Sequence, residues 1–111
     1  MSIESMNEEK LSEFIKSGKP VIVDWYATWC GPCKSFTPRL EKFSPQFEEL
    51  GIKVVKADVE KFDHLADHIE GVPTLDFYVG GERAHQDVGA LSNADLKDYL
   101  EAVKGKLPAA P

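Results

Sequence analysis

Cysteine is scarce in this chain. Two in 111 residues are too few to staple a secreted scaffold, and no third is present for regulatory disulfides or covalent dimers. Excess basic charge is missing too. Lys and Arg number 13 against 19 Asp and Glu, for a formal net charge of −6, which argues against nucleic acid as a partner and favours solubility. No apolar run approaches membrane-spanning length, and Met1-Ser2-Ile3-Glu4-Ser5 lacks the basic and apolar regions of a signal peptide, so the expected location is cytoplasmic. There is no glycine-rich phosphate loop, so no bound cofactor is expected, and no internal repeat, linker or low-complexity segment divides the chain. What remains is one domain over residues 1–111 of ordinary globular composition, 42% hydrophobic and 29% charged, expected to be a monomer.

The stretch that is there in strength runs from Val21 to Lys34. It opens with a β-branched and aromatic run over Val21–Ala27, apolar on both faces except at Asp24, which suggests a strand inside a sheet sandwiched between helices. Cys30 and Cys33 follow, and the residues beyond Cys33 carry a helical pattern: Phe36, Leu40, Phe43, Phe47 and Leu50 up to Gly51. Spacing i, i+3 at a helix start puts both thiols on one face, close enough for a disulfide. The unpaired N–H groups and partial positive charge of a helix N-terminus favour a thiolate there. Pro38 and Pro45 interrupt the pattern, each removing a bond to the carbonyl four residues earlier, at Lys34 and Glu41. One kinked helix is the expectation; Ser44-Pro45 as the cap and first residue of a second helix is the alternative.

The other elements read more briefly. Ile3 marks a short first strand, and Ser5 with Glu8 predicts a capping box for a helix whose buried stripe is Leu11, Phe14 and Ile15, stopped at Gly18-Lys19-Pro20. Lys53–Val59 is a strand, and Phe62, Leu65, Ala66 and Ile69 predict a short helix ended by Gly71. Pro73 opens a strand over Thr74–Tyr78, which turns at Gly80-Gly81 into Arg83–Val88 as a hairpin. Ser92 caps a last helix with the stripe Leu96, Tyr99, Leu100 and Val103, and residues 105–111 form a loose tail with little to pack. The order β-α-β-α-β-α-β-β-α is an α/β chain: five strands in a mixed sheet, early ones parallel and the hairpin antiparallel, flanked by four helices.

Trp29-Cys30-Gly31-Pro32-Cys33-Lys34, after a strand with an internal Asp24, resembles the active site of the thioredoxin family. A bare Cys-X-X-Cys is weak, since zinc sites use it as well, but the six-residue string at a strand–helix junction is far more specific. Val72-Pro73-Thr74 and Gly89-Ala90 extend the likeness over nearly the whole chain. The resemblance implies the thioredoxin fold and protein-disulfide reduction: Cys30 as nucleophile, Cys33 as the less exposed resolving thiol, and Asp24 as a buried acid exchanging a proton with Cys33. Lys56, at the matching position on the neighbouring strand, would tune Asp24. It also implies a cis bond before Pro73, and a substrate groove formed by Trp29, Gly31, Pro32, Val72, Pro73, Thr74, Gly89 and Ala90. Disulfide-bearing proteins and an NADPH-dependent flavoenzyme reductase are the implied partners. A lowered thiol pKa in this motif is a known property of thioredoxin itself, so it too belongs to the resemblance.

Each of these residues has a plainer reading. Asp24 at a strand end bonded to backbone accounts for roughly a third of such carboxylates. Lys56 alone reads as a solvated lysine, Trp29 as core, and Pro73 as a trans proline, because cis is only about 5–6% of X–Pro bonds. His64 and His68, four apart, would complete a zinc-like set with the cysteines, but about thirty residues separate the halves against roughly 12–15 in the usual finger, and solvated histidines are the better reading. The rival functions are a disulfide isomerase or oxidase domain, against which Pro32 stands, and a binding module with an idle redox pair. Asp76 in a strand, Glu70 beside the groove, and Trp25 before Tyr26 depart from the family pattern.

Overall fold

The computed structural model describes residues 3–108 and orders them around a sheet of five strands, side by side as Glu4–Ser5, Lys53–Asp58, Val21–Tyr26, Thr74–Val79 and Glu82–Val88. Strand β1 (Glu4–Ser5) is short and begins one residue after Ile3, which is buried. Helix α1 (Glu8–Lys16) follows, then β2 (Val21–Tyr26), α2 (Gly31–Glu48) and β3 (Lys53–Asp58). The chain then makes the hairpin β4 (Thr74–Val79) and β5 (Glu82–Val88) and ends in α3 (Asn93–Lys104). β3 runs parallel to both β1 and β2, whereas β4 pairs antiparallel with β2 and β5. The crossover helices go with the parallel pairs, and the two-residue turn between β4 and β5 makes those two antiparallel. Gly80 (φ 65°) and Gly81 (φ 85°) both take the left-handed backbone that such a turn needs.

Strand β2 is central and buried along nearly its whole length. Its side chains alternate between two cores. Ile22 points into one formed with Phe36, Leu40 and Phe47 of α2 and Leu96, Tyr99 and Val103 of α3. Val21, Val23 and Trp25 point into the other, with Leu11 and Ile15 of α1. Helices therefore cover both faces, which is why the strand is apolar on both sides.

Helix α2 continues through Pro38 and Pro45 as one helix. Ser44 explains part of this: its hydroxyl, nearly buried, donates to the Glu41 carbonyl at 2.8 Å. That carbonyl is the one Pro45 leaves without an N–H, so the residue before the proline supplies the missing donor.

Four sequence expectations are corrected. Ser5 lies in β1 and does not cap α1; Asn7 does, its side chain accepting from the Lys10 N–H at 2.8 Å. Glu8 instead turns its carboxylate outward and accepts from the backbone N–H groups of Asp63, His64 and Leu65 at 2.7–2.8 Å. The helix expected over Phe62–Ile69 is absent, leaving three α-helices among the described residues where four were expected. Residues 59–61 make a single 3₁₀ turn, and 62–71 are irregular, with i→i−3 bonds from Asp67 to His64 and from Ile69 to Ala66. Three N–H groups fixed by Glu8 and a ring held by Asp76 outweigh the weak local helical pattern of so short a segment. The tail also packs more than expected, since Leu107 is half-buried against the α3 core; residues 109–111, and Met1 and Ser2, lie outside the described residues.

Candidate active site

The fold brings three chain segments together at one end of β2: the β2–α2 junction, the approach to β4, and the segment leaving β5. Cys30 is the N-cap of α2, with extended backbone (φ −84°, ψ 110°), and Gly31 and Pro32 begin the helix, where a proline without an N–H costs nothing. Cys30 and Cys33 form a disulfide with Cα atoms 5.3 Å apart. The Cys33 backbone N–H donates to Cys30 Sγ at 3.1 Å. One of the donors that a helix start leaves unpaired is thus aimed at the first sulfur, a geometry that favours negative charge there once the pair is reduced.

Cys30 Sγ lies 3.7 Å from the carbonyl oxygen of Val72, and the Val72–Pro73 peptide bond is cis. Thr74 is buried and its hydroxyl donates to the Gly71 carbonyl at 2.6 Å, closing the loop ahead of β4. Gly89, at φ 102°, a backbone that L-residues rarely adopt, donates its N–H to the Pro73 carbonyl at 2.8 Å and so holds the Gly89-Ala90 segment beside the proline. Trp29 is 69% exposed, so it is no core residue. The cysteines themselves are equally buried, each 3% exposed; the expected difference in their exposure does not appear in the disulfide form. What separates them is their neighbours: Cys30 Sγ meets the Val72 carbonyl, and Cys33 lines a cavity with Thr37 and Lys56.

Behind Cys33 lies a cavity of about 280 Å³ lined among others by Cys33, Lys34, Thr37, Lys56 and Tyr26. Asp24 sits mid-strand, fully buried, in register with Lys56 on β3. The Thr37 hydroxyl donates to its Oδ2 at 2.8 Å, while Oδ1 is the one buried side-chain polar atom among the described residues with no hydrogen-bond partner. Burial raises the Asp24 pKa from 3.8 to about 6; the Thr37 hydrogen bond and the Lys56 charge act against that rise, and Glu41 adds to it.

A second buried carboxylate occupies the opposite face of the sheet. Asp76 is fully buried and accepts from Trp25 Nε1 (2.9 Å) and Gln86 Nε2 (2.7 Å), with His68 Nε2 at 2.6 Å and the Tyr78 hydroxyl at 3.4 Å. The tryptophan at position 25 thereby acquires its reason: its indole N–H reaches a partner inside the core, as a buried tryptophan needs. His68 is consequently no solvated histidine. Its ring is three-quarters covered, bonded to Asp76 and edge-on to Trp25. Among the described residues no three His, Cys, Asp or Glu side chains gather as a metal group.

Two features escaped the sequence reading. Thr37 lies four residues after Cys33, hence one turn along the same helix face, and that spacing was the available signal. The His68–Asp76 contact had none, because it joins an irregular segment to a strand.

The sequence profile of the thioredoxin family matches residues 2–102. A chloroplastic thioredoxin Y of Oryza sativa subsp. japonica is 44% identical over 91 residues, 78% of this chain but only 52% of that protein. Thioredoxin of Acidithiobacillus ferridurans is 36% identical over 82% of this chain and 85% of its own. Among solved structures, oxidised thioredoxin from Plasmodium falciparum superimposes with a TM-score of 0.80 at 27% identity, covering 93% of this chain and 99% of that one. The chain spans about half the length of the chloroplastic relatives and most of the length of the bacterial one. Profile, relatives, fold and a disulfide at the start of α2 agree: the chain belongs to the thioredoxin family of disulfide oxidoreductases.

Proposed function

We propose that this chain is a general protein-disulfide reductase, with Cys30 as the attacking thiol and Cys33 as the resolving one. The carrying observation is the position of Cys30 Sγ, between the donating N–H of Cys33 and the carbonyl of Val72. In the reduced protein that N–H favours the Cys30 thiolate, and an extended substrate segment laid along Val72 presents its disulfide to it. The thiolate attacks one substrate sulfur, forming a Cys30–substrate disulfide and releasing the other substrate sulfur as a thiolate. Cys33 gives its proton to Asp24 and attacks Cys30 Sγ. The Cys30–Cys33 bond forms, the substrate leaves with its second sulfur reduced, and two electrons have passed to it in all.

Trp29, Gly31, Pro32, Pro73, Thr74, Gly89 and Ala90 would border the bound segment, and Lys56 would set the field at Asp24. Return of the disulfide to the dithiol needs two electrons from outside the chain, which in this family an NADPH-dependent flavoenzyme supplies. No helix of the described residues is long and apolar enough to cross a membrane. In this proposal the chain works as a monomer in the cytoplasm. Residues 1–111 act as one domain.

Turbidity from insulin reduction, driven by dithiothreitol or by NADPH with a thioredoxin reductase, tests the activity. Cys33→Ser should accumulate mixed disulfides with substrate proteins, and Cys30→Ser should form none. Adducts on the Cys30 variant in place of the Cys33 variant would invert the roles. No insulin reduction by the reduced wild-type chain would leave a binding module with an idle pair.

A further inference from the structure

Helix α2 carries Cys33, Thr37 and Glu41 at successive spacings of four, so the three share the face that lies over β2 and β3. The cavity behind the disulfide is bounded by the first two of these and by Lys56. Among the described residues Thr37 is the one side chain that hydrogen-bonds Asp24, and it does so from that cavity wall. The carboxylate is therefore held asymmetrically: Oδ2 is committed to the Thr37 hydroxyl at 2.8 Å, and Oδ1 is left without a protein donor.

We propose that Thr37 is a positioning residue for the resolving step: its hydroxyl fixes the Asp24 carboxylate, leaves Oδ1 as the oxygen that receives the Cys33 proton, and extends the base to lower pH. This rests on Asp24 acting as the base, as proposed above. The physical case has two parts. A hydroxyl donating to a carboxylate stabilises the ionised form more than the neutral one, since a charge-assisted hydrogen bond is roughly twice as strong as a neutral pair. A carboxylate with one oxygen engaged cannot rotate freely, so the orientation of its second oxygen is set before the proton arrives. In the step itself the Cys33 S–H bond breaks, its proton passes to Asp24, and Thr37 keeps its own proton throughout.

The other groups facing Asp24 do not duplicate this role. Lys56, from β3, favours the ionised carboxylate by its charge, and Glu41, from α2, opposes it. Tyr26, next but one along β2, has its own pKa raised by burial, then by Asp58 and Asp24, and so stays neutral in the working range. Lys34 lines the cavity from α2. Of these, Thr37 alone makes a directional contact. Without it, burial acts on Asp24 with one fewer opposing influence.

The experiment uses the full chain as wild type, Thr37→Val, Thr37→Ser and Asp24→Asn. Two quantities are read against pH: the Asp24 carboxyl titration by ¹³C NMR, and the rate at which a preformed Cys30 mixed disulfide is resolved. In Thr37→Val the titration midpoint should rise by about one pH unit, as expected for losing one hydrogen bond to a charged group. The acidic limb of the resolution profile should move with it, giving up to about tenfold slower release near pH 6. Thr37→Ser, which keeps the hydroxyl, should restore both. Thr37→Ala carries the same expectation as Thr37→Val should the valine variant fold poorly. An unmoved midpoint in the variants that lack the hydroxyl overturns the proposal and leaves Asp24 standing as the base. A midpoint that moves while those variants and Asp24→Asn all resolve at the wild-type rate overturns the base assignment, and this proposal with it.

Discussion

Replacing Asp24 by Asn should stabilise the protein at alkaline pH far more than at acidic pH. The folded carboxyl is pushed up to about 6 from 3.8, chiefly by burial, and the residue is fully enclosed, so no discount for solvent screening applies. For a raised pKa the favourable contribution is complete below the unfolded value and is lost as pH rises through the folded one. Linkage between 3.8 and about 6 gives a destabilisation of about 1 kcal/mol at pH 4.5 and about 3 kcal/mol at pH 8. Asparagine keeps an acceptor for Thr37 but buries an amide N–H₂ in place of the unpartnered oxygen, a cost of about 1–3 kcal/mol. That cost is independent of pH and cancels when the two conditions are compared. Urea unfolding of both proteins at pH 4.5 and pH 8 should therefore show the Asp24→Asn effect becoming about 2 kcal/mol more favourable between them, or roughly 8 °C in melting temperature. The same difference at both pH values would refute the reasoning, because it would mean the buried carboxylate is not disfavoured by its surroundings.

Asp76 offers the opposite case, a buried carboxylate surrounded by donors. Asp76→Ala should cost roughly 3–5 kcal/mol in urea unfolding, since it strands Trp25 Nε1, Gln86 and the His68 ring at once. Glu8→Ala should raise amide hydrogen exchange at Asp63, His64 and Leu65 selectively, leaving β2 protected. The same three backbone bonds lower the Glu8 pKa, so their contribution is present above the usual glutamate value and is lost as pH falls through the folded one; protection factors at those amides, taken against the intrinsic exchange rate at each pH, should fall in acid. Ser44→Ala should cost about 1 kcal/mol in the same denaturant assay, because the Glu41 carbonyl then has no donor from either Ser44 or Pro45.

Local chemistry decided much of this protein. The β-branched and aromatic run from Val21 to Ala27, the helical stripe after Cys33 and the paired glycines at 80 and 81 each prescribe one backbone geometry, and each was legible without a fold. The same holds for two cysteines three apart at a strand–helix junction, because one helical turn suffices to bring their sulfurs together. The departures from expectation share a cause of another kind. Glu8 was matched to a cap position nearby in sequence, yet its carboxylate found three N–H groups more than fifty residues away. Phe62–Ile69 has helical spacing, yet that distant carboxylate and Asp76 hold it irregular. Asp76 looked like a charge misplaced in a strand, and it is satisfied by donors from β2, β5 and the irregular segment, whose convergence no local pattern encodes. Asp24 was visible as a buried acid, but which hydroxyl holds it depended on how α2 lies across β2. Periodicity specifies which face of an element is apolar; the partners of a buried polar group are specified only when the elements pack, because a hydrogen bond requires its two atoms within about 3 Å wherever in the chain they originate.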